Sequence, residues 1–240
     1  MPTLTLDRTV GQIVADSPRT SIVFERYGID YCCAGKIPFE EACARRGLDA
    51  AVVASEIVAL RSHADVTEVN WTQRPLSELI DHIIAGHHDY LRENLPRIDQ
   101  LVERVVRAHG ERDPRLGALR DAFGTFCKDI DSHMAKEEQI LFPLVRAIGH
   151  GKPAADNHCG SVANPIGVME AEHDAAGDLL LQMRELTDGY VAPKTACNTY
   201  RALLDALEQL ESNMHVHIHK ENSILFPRAI AAEKSGDTRW

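Results

Sequence analysis

Two stretches of this chain repeat one pattern, and that pattern limits the fold more than any other feature. One runs His133-Met-Ala-Lys-Glu137 and continues to Ile140-Leu-Phe-Pro143. The other runs His217-Ile-His-Lys-Glu221 and continues to Ile224-Leu-Phe-Pro227. His and Glu four residues apart lie one turn from each other on the same helix face. Two copies supply two imidazoles and two carboxylates, the makings of a shared metal site rather than of separate ion pairs.

From Leu76 onward, apolar residues recur at spacings of three and four in four long segments. The first runs from Leu76 and Ile80 through Ile84, His88, Leu91 and Leu95 to Val105. The second runs from Leu116 through Phe123, Phe126, Ile130, His133, Glu137 and Ile140 to Leu144. The third runs from Ile166 through Met169, His173, Ala176 and Leu180 to Met183. The fourth runs from Tyr200 through Leu207, Leu210, Met214, His217 and Glu221 to Ile224. These stripes mark buried helix faces. Breaks fall at Gly110–Pro114, Gly149–Pro165 and Thr187–Pro193, and no β-pattern competes. The expected fold is all-α, an antiparallel four-helix bundle over residues 76–240.

The His and Glu residues of the repeat stand where the stripes call for apolar side chains. A buried carboxylate without a partner costs several kcal/mol and is normally neutralised or excluded. Carboxylates and imidazoles converging in one core make sense if cations hold them together. The repeat also has a wider frame. His88-Asp89 precedes His133 by 45 residues, and His173-Asp174 precedes His217 by 44. Each half therefore offers three ligands, six in all: His88, His133, Glu137, His173, His217 and Glu221. They suit two metal ions, each with two His, bridged by both carboxylates. Iron is favoured, with manganese and zinc as lesser choices.

The other histidines sort by spacing. His87 shares the helix face almost as well as His88, and only the repeated His-Asp frame selects His88. His215 and His219 flank His217 at two residues, which points them off the core face. His109 lies 21 residues beyond His88, about 31 Å along a straight helix, and is excluded from the same site. Asp129 and Glu172 are candidates for groups behind the ligands or for proton relays, against an equal reading as solvated helix charges.

Residues 1–65 form a separate small helical domain, with 66–75 as linker. Ser17-Pro18 starts a helix that Gly28 stops. A second runs Phe39 to Arg46 before Gly47, and a third from Asp49 to His63. Between them lies Asp30-Tyr31-Cys32-Cys33-Ala34-Gly35. Adjacent cysteines make a strained disulfide, so Cys32 and Cys33 are read as free thiols: a soft metal site, a redox pair or a nitrosylation target, against one thiol simply buried. Cys43, Cys127, Cys159 and Cys197 lack ligand-like spacing, and Cys127 and Cys197 are read as helix packing residues.

The formal charge of −10 argues against nucleic acid or an anionic membrane as partner. No signal-peptide pattern opens the chain and no apolar run is long enough to span a membrane, so the expected compartment is the cytoplasm.

Asp30-Tyr31-Cys32-Cys33-Ala34-Gly35-Lys36 resembles the N-terminal signature of the RIC (Repair of Iron Centres) proteins. His133 to Pro143, Met169-Glu-Ala-Glu-His173-Asp174 and His217 to Pro227 resemble that family's hemerythrin-like bundle. The resemblance covers nearly the whole chain. It implies a cytoplasmic, non-haem, carboxylate-bridged di-iron protein of the nitrosative and oxidative stress response. Its partners would be damaged iron–sulfur proteins that receive iron. Matching motif by motif, the iron ligands fall on the same six residues, and the family's thiol pair on Cys32 and Cys33. Two alternatives stay open: redox turnover of nitric oxide by the two irons and the thiols, and a nitric oxide or oxygen carrier or sensor. A homodimer is compatible with either. The chain departs from the pattern in its additional His215 and His219, and in the long loop around His158-Cys159-Gly160.

Overall fold

The computed structural model describes residues 8–62, 69–149 and 159–235. The expected helix end at His63, the linker residues 64–68 and the loop from Gly151 to His158 lie outside the described residues. Among those described there is no strand, only an isolated bridge between Thr9 and Pro38. No described helix is long and apolar enough to cross a membrane.

The N-terminal module contains α1 (Val10–Asp16), α2 (Ser21–Arg26), α3 (Phe39–Arg45) and α4 (Ala50–Ser62). Apolar spacing does not mark α1, but its start carries a capping signal. Thr9 and Gln12 form a capping box, each side chain taking the other's backbone N–H. The Ser17 side chain makes no cap hydrogen bond, and its backbone N–H instead closes the end of α1 on Ile13 and Val14; Pro18–Thr20 is a 3-10 turn leading into α2. Gly28 and Gly47 take left-handed φ of 64° and 67° just past α2 and α3, the backbone that only glycine adopts without strain. Phe24, Tyr31 and Phe39 pack together at the centre of the module.

The bundle is built from α5 (Leu76–Ile83) continued by α6 (Asp89–His109), α7 (Arg115–Lys136) continued by α8 (Phe142–Gly149), α9 (Ala163–Leu186), and α10 (Asn198–Lys220) continued by α11 (Phe226–Ser235). Around the bundle α6 neighbours α7 and α10, and α9 also touches both α7 and α10. The apolar core falls into two clusters. One holds Leu91, Met134, Ala176 and Ile218 together with the N-terminal module. The other holds Ile83, Leu141, Met169 and Ile224. On each of the four helical runs, the expected ligands stand at the border between the two.

Three of the four runs change pitch at that border. Ile84–His88, Glu137–Leu141 and Glu221–Leu225 are π-helical turns. In each, the next N–H reaches five residues back: Asp89 to Ile84, Phe142 to Glu137 and Phe226 to Glu221. Pro143 and Pro227 lack the N–H that would continue an α-helical ladder, so a widened turn just before them is accommodated. The extra residue corrects the stripes. Ile140, expected in the core, is 38% exposed, and Leu141 takes the buried position at 1%. Ile84 is half-buried, while Ile83 is fully buried.

Candidate metal centre

The six residues meet in one place. His88, Glu137, His217 and Glu221 form one group of converging ligand atoms. His133, Glu137, His173 and Glu221 form a second, and the two carboxylates belong to both. His88 Nε2 lies 3.2 Å and His133 Nε2 3.4 Å from Glu137 Oε2. His173 Nε2 lies 3.0 Å from Glu221 Oε2, and His217 Nε2 3.1 Å from Glu221 Oε1. His133 Nε2 and His173 Nε2 face each other at 3.1 Å. All six side chains are at most 2% exposed.

Groups behind the imidazoles fix their orientation. His88 Nδ1–H donates to Glu138 Oε1 at 2.7 Å, and Arg92 holds the same oxygen. His133 Nδ1–H donates to Glu172 Oε2 at 3.0 Å, and Lys136 holds the other oxygen. His173 Nδ1–H donates to Asn222 Oδ1 at 2.8 Å, while Asn222 Nδ2 donates to the Cys32 carbonyl at 3.3 Å. With Nδ1 donating outward, each Nε2 faces inward, and in the neutral ring its lone pair is the one a metal ion takes. Glu172 thus stands behind a ligand candidate, whereas Asp129 is exposed on α7. Glu138 carries no signal in the sequence, because nothing in the stripe distinguishes it from an ordinary exposed helix charge.

The charges strain against burial. Desolvation would raise the Glu137 and Glu221 carboxyls, yet both are held below the usual carboxylate range by the imidazoles around them. Burial likewise lowers His133, but the Glu137 and Glu221 carboxylates more than offset it and lift the imidazole to about 9. His217 is pushed down by burial. Even so, His88 Nε2, both Glu137 oxygens, Glu221 Oε2 and His217 Nδ1 are buried without a hydrogen-bond partner. Folded proteins rarely leave so many adjacent polar atoms orphaned. Cations satisfy inward-facing imidazole and carboxylate lone pairs together, so the donor set fits two metal ions. Mixed nitrogen and oxygen donors suit iron, manganese or zinc.

The other expected residues are placed as follows. His87 is buried as well, because the π turn admits two consecutive histidines. Its ring stacks on His217 at 5.3 Å between centroids. His219 is off the metal cluster but buried, not solvated, with its ring edge-on to Tyr31 at 5.6 Å. His215 lies 3.8 Å from Glu211. His109 sits at the far end of α6, and its Nε2 is 3.3 Å from Cys197 Sγ. Cys197 is therefore not a packing residue: it is exposed at the N-cap of α10. The His109 contact and the backbone N–H groups of Tyr200 and Thr199 lower its thiol to about 7. Cys127 is half-buried against the core and Cys43 buried in the N-terminal module.

Cys32 and Cys33 are free, with sulfurs 3.8 Å apart. Asp30 Oδ1 accepts both their backbone N–H groups, tying the loop. The Cys33 thiol points at the His173 carbonyl at 3.6 Å, so the thiol loop sits directly over a ligand-bearing helix. A cavity of about 220 Å³ lies there, bordered by both cysteines, Lys36, Glu170, Asp174 and Asn222. The Cys32 hydrogen bond to Cys33, burial and the charge of Asp30 push the Cys32 thiol well above its ordinary value.

Residues 79–229 match the Hemerythrin HHE cation binding domain, and residues 6–61 match a Domain of Unknown function (DUF542). The chain is 37% identical over 95% of its length to the iron-sulfur cluster repair protein YtfE of Escherichia coli O8 (strain IAI1), and covers 98% of that protein. Identity is 38% to the protein of that name from Escherichia coli O81 (strain ED1a) and 37% to that of Shigella boydii serotype 4 (strain Sb227), with the same coverage.

Proposed function

The chain belongs to the hemerythrin-like family of iron–sulfur cluster repair proteins, and from that premise we propose that it holds two iron ions and donates iron to damaged clusters. His88 and His217 would hold one ion and His133 and His173 the other, with Glu137 and Glu221 shared between them. The observation that carries this reading is the set of buried, orphaned nitrogen and oxygen atoms facing one another across four helical runs. When bound, iron supplies an exchangeable, redox-active cation.

The protein's own residues do the rest. Glu138, Glu172 and Asn222 aim the imidazoles, the two apolar clusters exclude water, and the carboxylates balance the cationic charge. Glu138 and Glu172 are themselves held by Arg92 and Lys136, so the outer layer is nearly neutral. The acceptors would be iron–sulfur proteins of the cytoplasm. Metal analysis of anaerobically purified protein tests the reading. About two irons per chain are expected, with loss of iron in His133→Ala. Iron-loaded protein should also restore a nitrosylated or oxidised cluster enzyme, and Glu137→Leu should not. A metal-free wild type, or a Glu137→Leu protein as effective as wild type, would overturn it.

A second reading rests on the thiols beside His173. Reduction of two nitric oxide molecules to nitrous oxide and water takes two electrons and two protons, which the Cys32 and Cys33 thiols would supply by closing to a disulfide that the added reductant reopens. Nitrous oxide yield with a reductant present decides this; no gas under multiple turnover refutes it.

A further inference from the structure

A second cluster of histidines adjoins the candidate centre, and the repeat does not account for it. Lys220 Nζ lies 2.7 Å from His82 Nε2 and 2.8 Å from His87 Nε2. An ammonium group only donates, so both imidazoles direct an Nε2 lone pair at one cation. Asn213 Oδ1 accepts from His87 Nδ1–H at 3.1 Å and holds that tautomer. His82 and His87 are five residues apart, and the π turn at Ile84–His88 brings them to the same side of the run. Two imidazole lone pairs converging on one positive charge form the geometry that a divalent first-row cation asks of two histidines.

The cluster also spans depth. The His87 ring is parallel to that of His217, at 5.3 Å and 4°. His82 lies 6.0 Å from His87 on its outer side and is half-buried beneath Trp71, which stacks on it at 4.4 Å. Imidazoles therefore run in series from the buried His217 through His87 to the half-buried His82. Among the described residues the Lys220 ammonium hydrogen-bonds two imidazoles, and the carboxylate whose charge reaches it is that of the neighbouring Glu221. Burial lowers the lysine to about 8.

We propose that His82 and His87 form a third, transient cation position on the route by which a ferrous ion passes between the buried pair and solvent, and that the Lys220 side chain plugs it. The inference rests on the iron-donation reading. A fixed ammonium on the route repels a divalent ion, and its flexible four-carbon stem lets it swing aside. The step is ligand exchange only: the iron stays ferrous, the ammonium leaves the two imidazoles, and the ion takes its place.

The test loads the full chain anaerobically with two equivalents of ferrous iron and follows transfer to an excess of a chromogenic ferrous chelator. His82→Ala should slow release roughly tenfold, the lower end of what losing one supporting group does to a metal site. Lys220→Met, which keeps the side-chain length, should speed it. In Lys220→Ala, titration with cobalt(II) should show a third equivalent that His82→Ala/Lys220→Ala lacks. His82 is partly exposed, so its truncation gives an answer even if the lysine variants fold poorly. Equal release rates with two irons bound throughout, and no third equivalent, would overturn the route and leave donation standing. A wild type that holds no iron would overturn both.

Discussion

Asn222 joins the thiol loop to the candidate centre, and replacing it separates two functions of one side chain. Its Oδ1 accepts from His173 and its Nδ2 donates to the Cys32 carbonyl, in a position only 8% exposed. Asn222→Ala removes both bonds and leaves a buried donor and a buried acceptor unpaired. Each orphan costs about 1–3 kcal/mol, and the partial relaxation expected at a cavity edge brings the pair to roughly 2–3 kcal/mol. In a chain of this size that lowers the melting temperature of the metal-free protein by roughly 4–12 °C. Loss of the partner behind His173 should also weaken metal binding by about 10–100-fold. Asn222→Asp keeps an acceptor for His173 Nδ1–H and loses the donor to Cys32. It should therefore melt lower than wild type yet bind metal at least as tightly, because a charged acceptor makes Nε2 a better ligand. Calorimetry on metal-free protein and chelator competition on loaded protein read the two effects. An alanine variant with wild-type metal affinity, or an aspartate variant as weak as alanine, would refute the assignment of Asn222 to His173.

Gly35→Ala places a Cβ 2.7 Å from the Tyr31 carbonyl and 2.9 Å from Ser223 Oγ, so the seam between module and bundle must open. A loss of about 1–3 kcal/mol and faster proteolysis of residues 8–62 are expected; unchanged digestion would count against a tight seam. The Cys197 thiol, lowered to about 7 by His109 and the start of α10, is thiolate above that pH and loses reactivity below it. Its alkylation should be half-maximal near pH 7, and His109→Ala should move the midpoint up toward the ordinary thiol value of about 8.5. An unmoved midpoint would dissociate the pair. Chelating the metal should lower the melting temperature and restoring it should reverse the change, since a ligand at 100-fold over its Kd adds about 2.7 kcal/mol. Melting indifferent to iron would argue against a centre in the core.

The convergence of His88, His133, Glu137, His173, His217 and Glu221 was legible because helix period places them on buried faces among apolar neighbours and the repeated His-Asp frame selects His88 over His87. The α7 stripe failed at Ile140, since periodicity assumes a constant pitch and Glu137–Leu141 widens by one residue. His87 shares that face in a uniform helix, and only the His-Asp frame sets it aside; the π turn at Ile84–His88 buries it together with His88. Spacing points His219 off the bundle core but describes only its own helix; the Tyr31 ring that covers it belongs to the N-terminal module. The missing α1 is a different failure, for Thr9 and Gln12 carried a capping signal in plain sequence.

What the sequence determined by itself is therefore local and periodic: four apolar stripes, the polar residues interrupting them, and the helix stops at Gly28 and Gly47. These follow from side-chain spacing and backbone sterics, which act over a few residues. Only the tertiary structure decided what stands behind each imidazole, where the cysteine loop rests, and that Lys220 faces His82 and His87. Those arrangements depend on contacts between groups far apart in the chain, such as Asn222 with Cys32 and His88 with Glu138. No local pattern encodes such contacts, because they arise only when separate amphipathic faces bury one another.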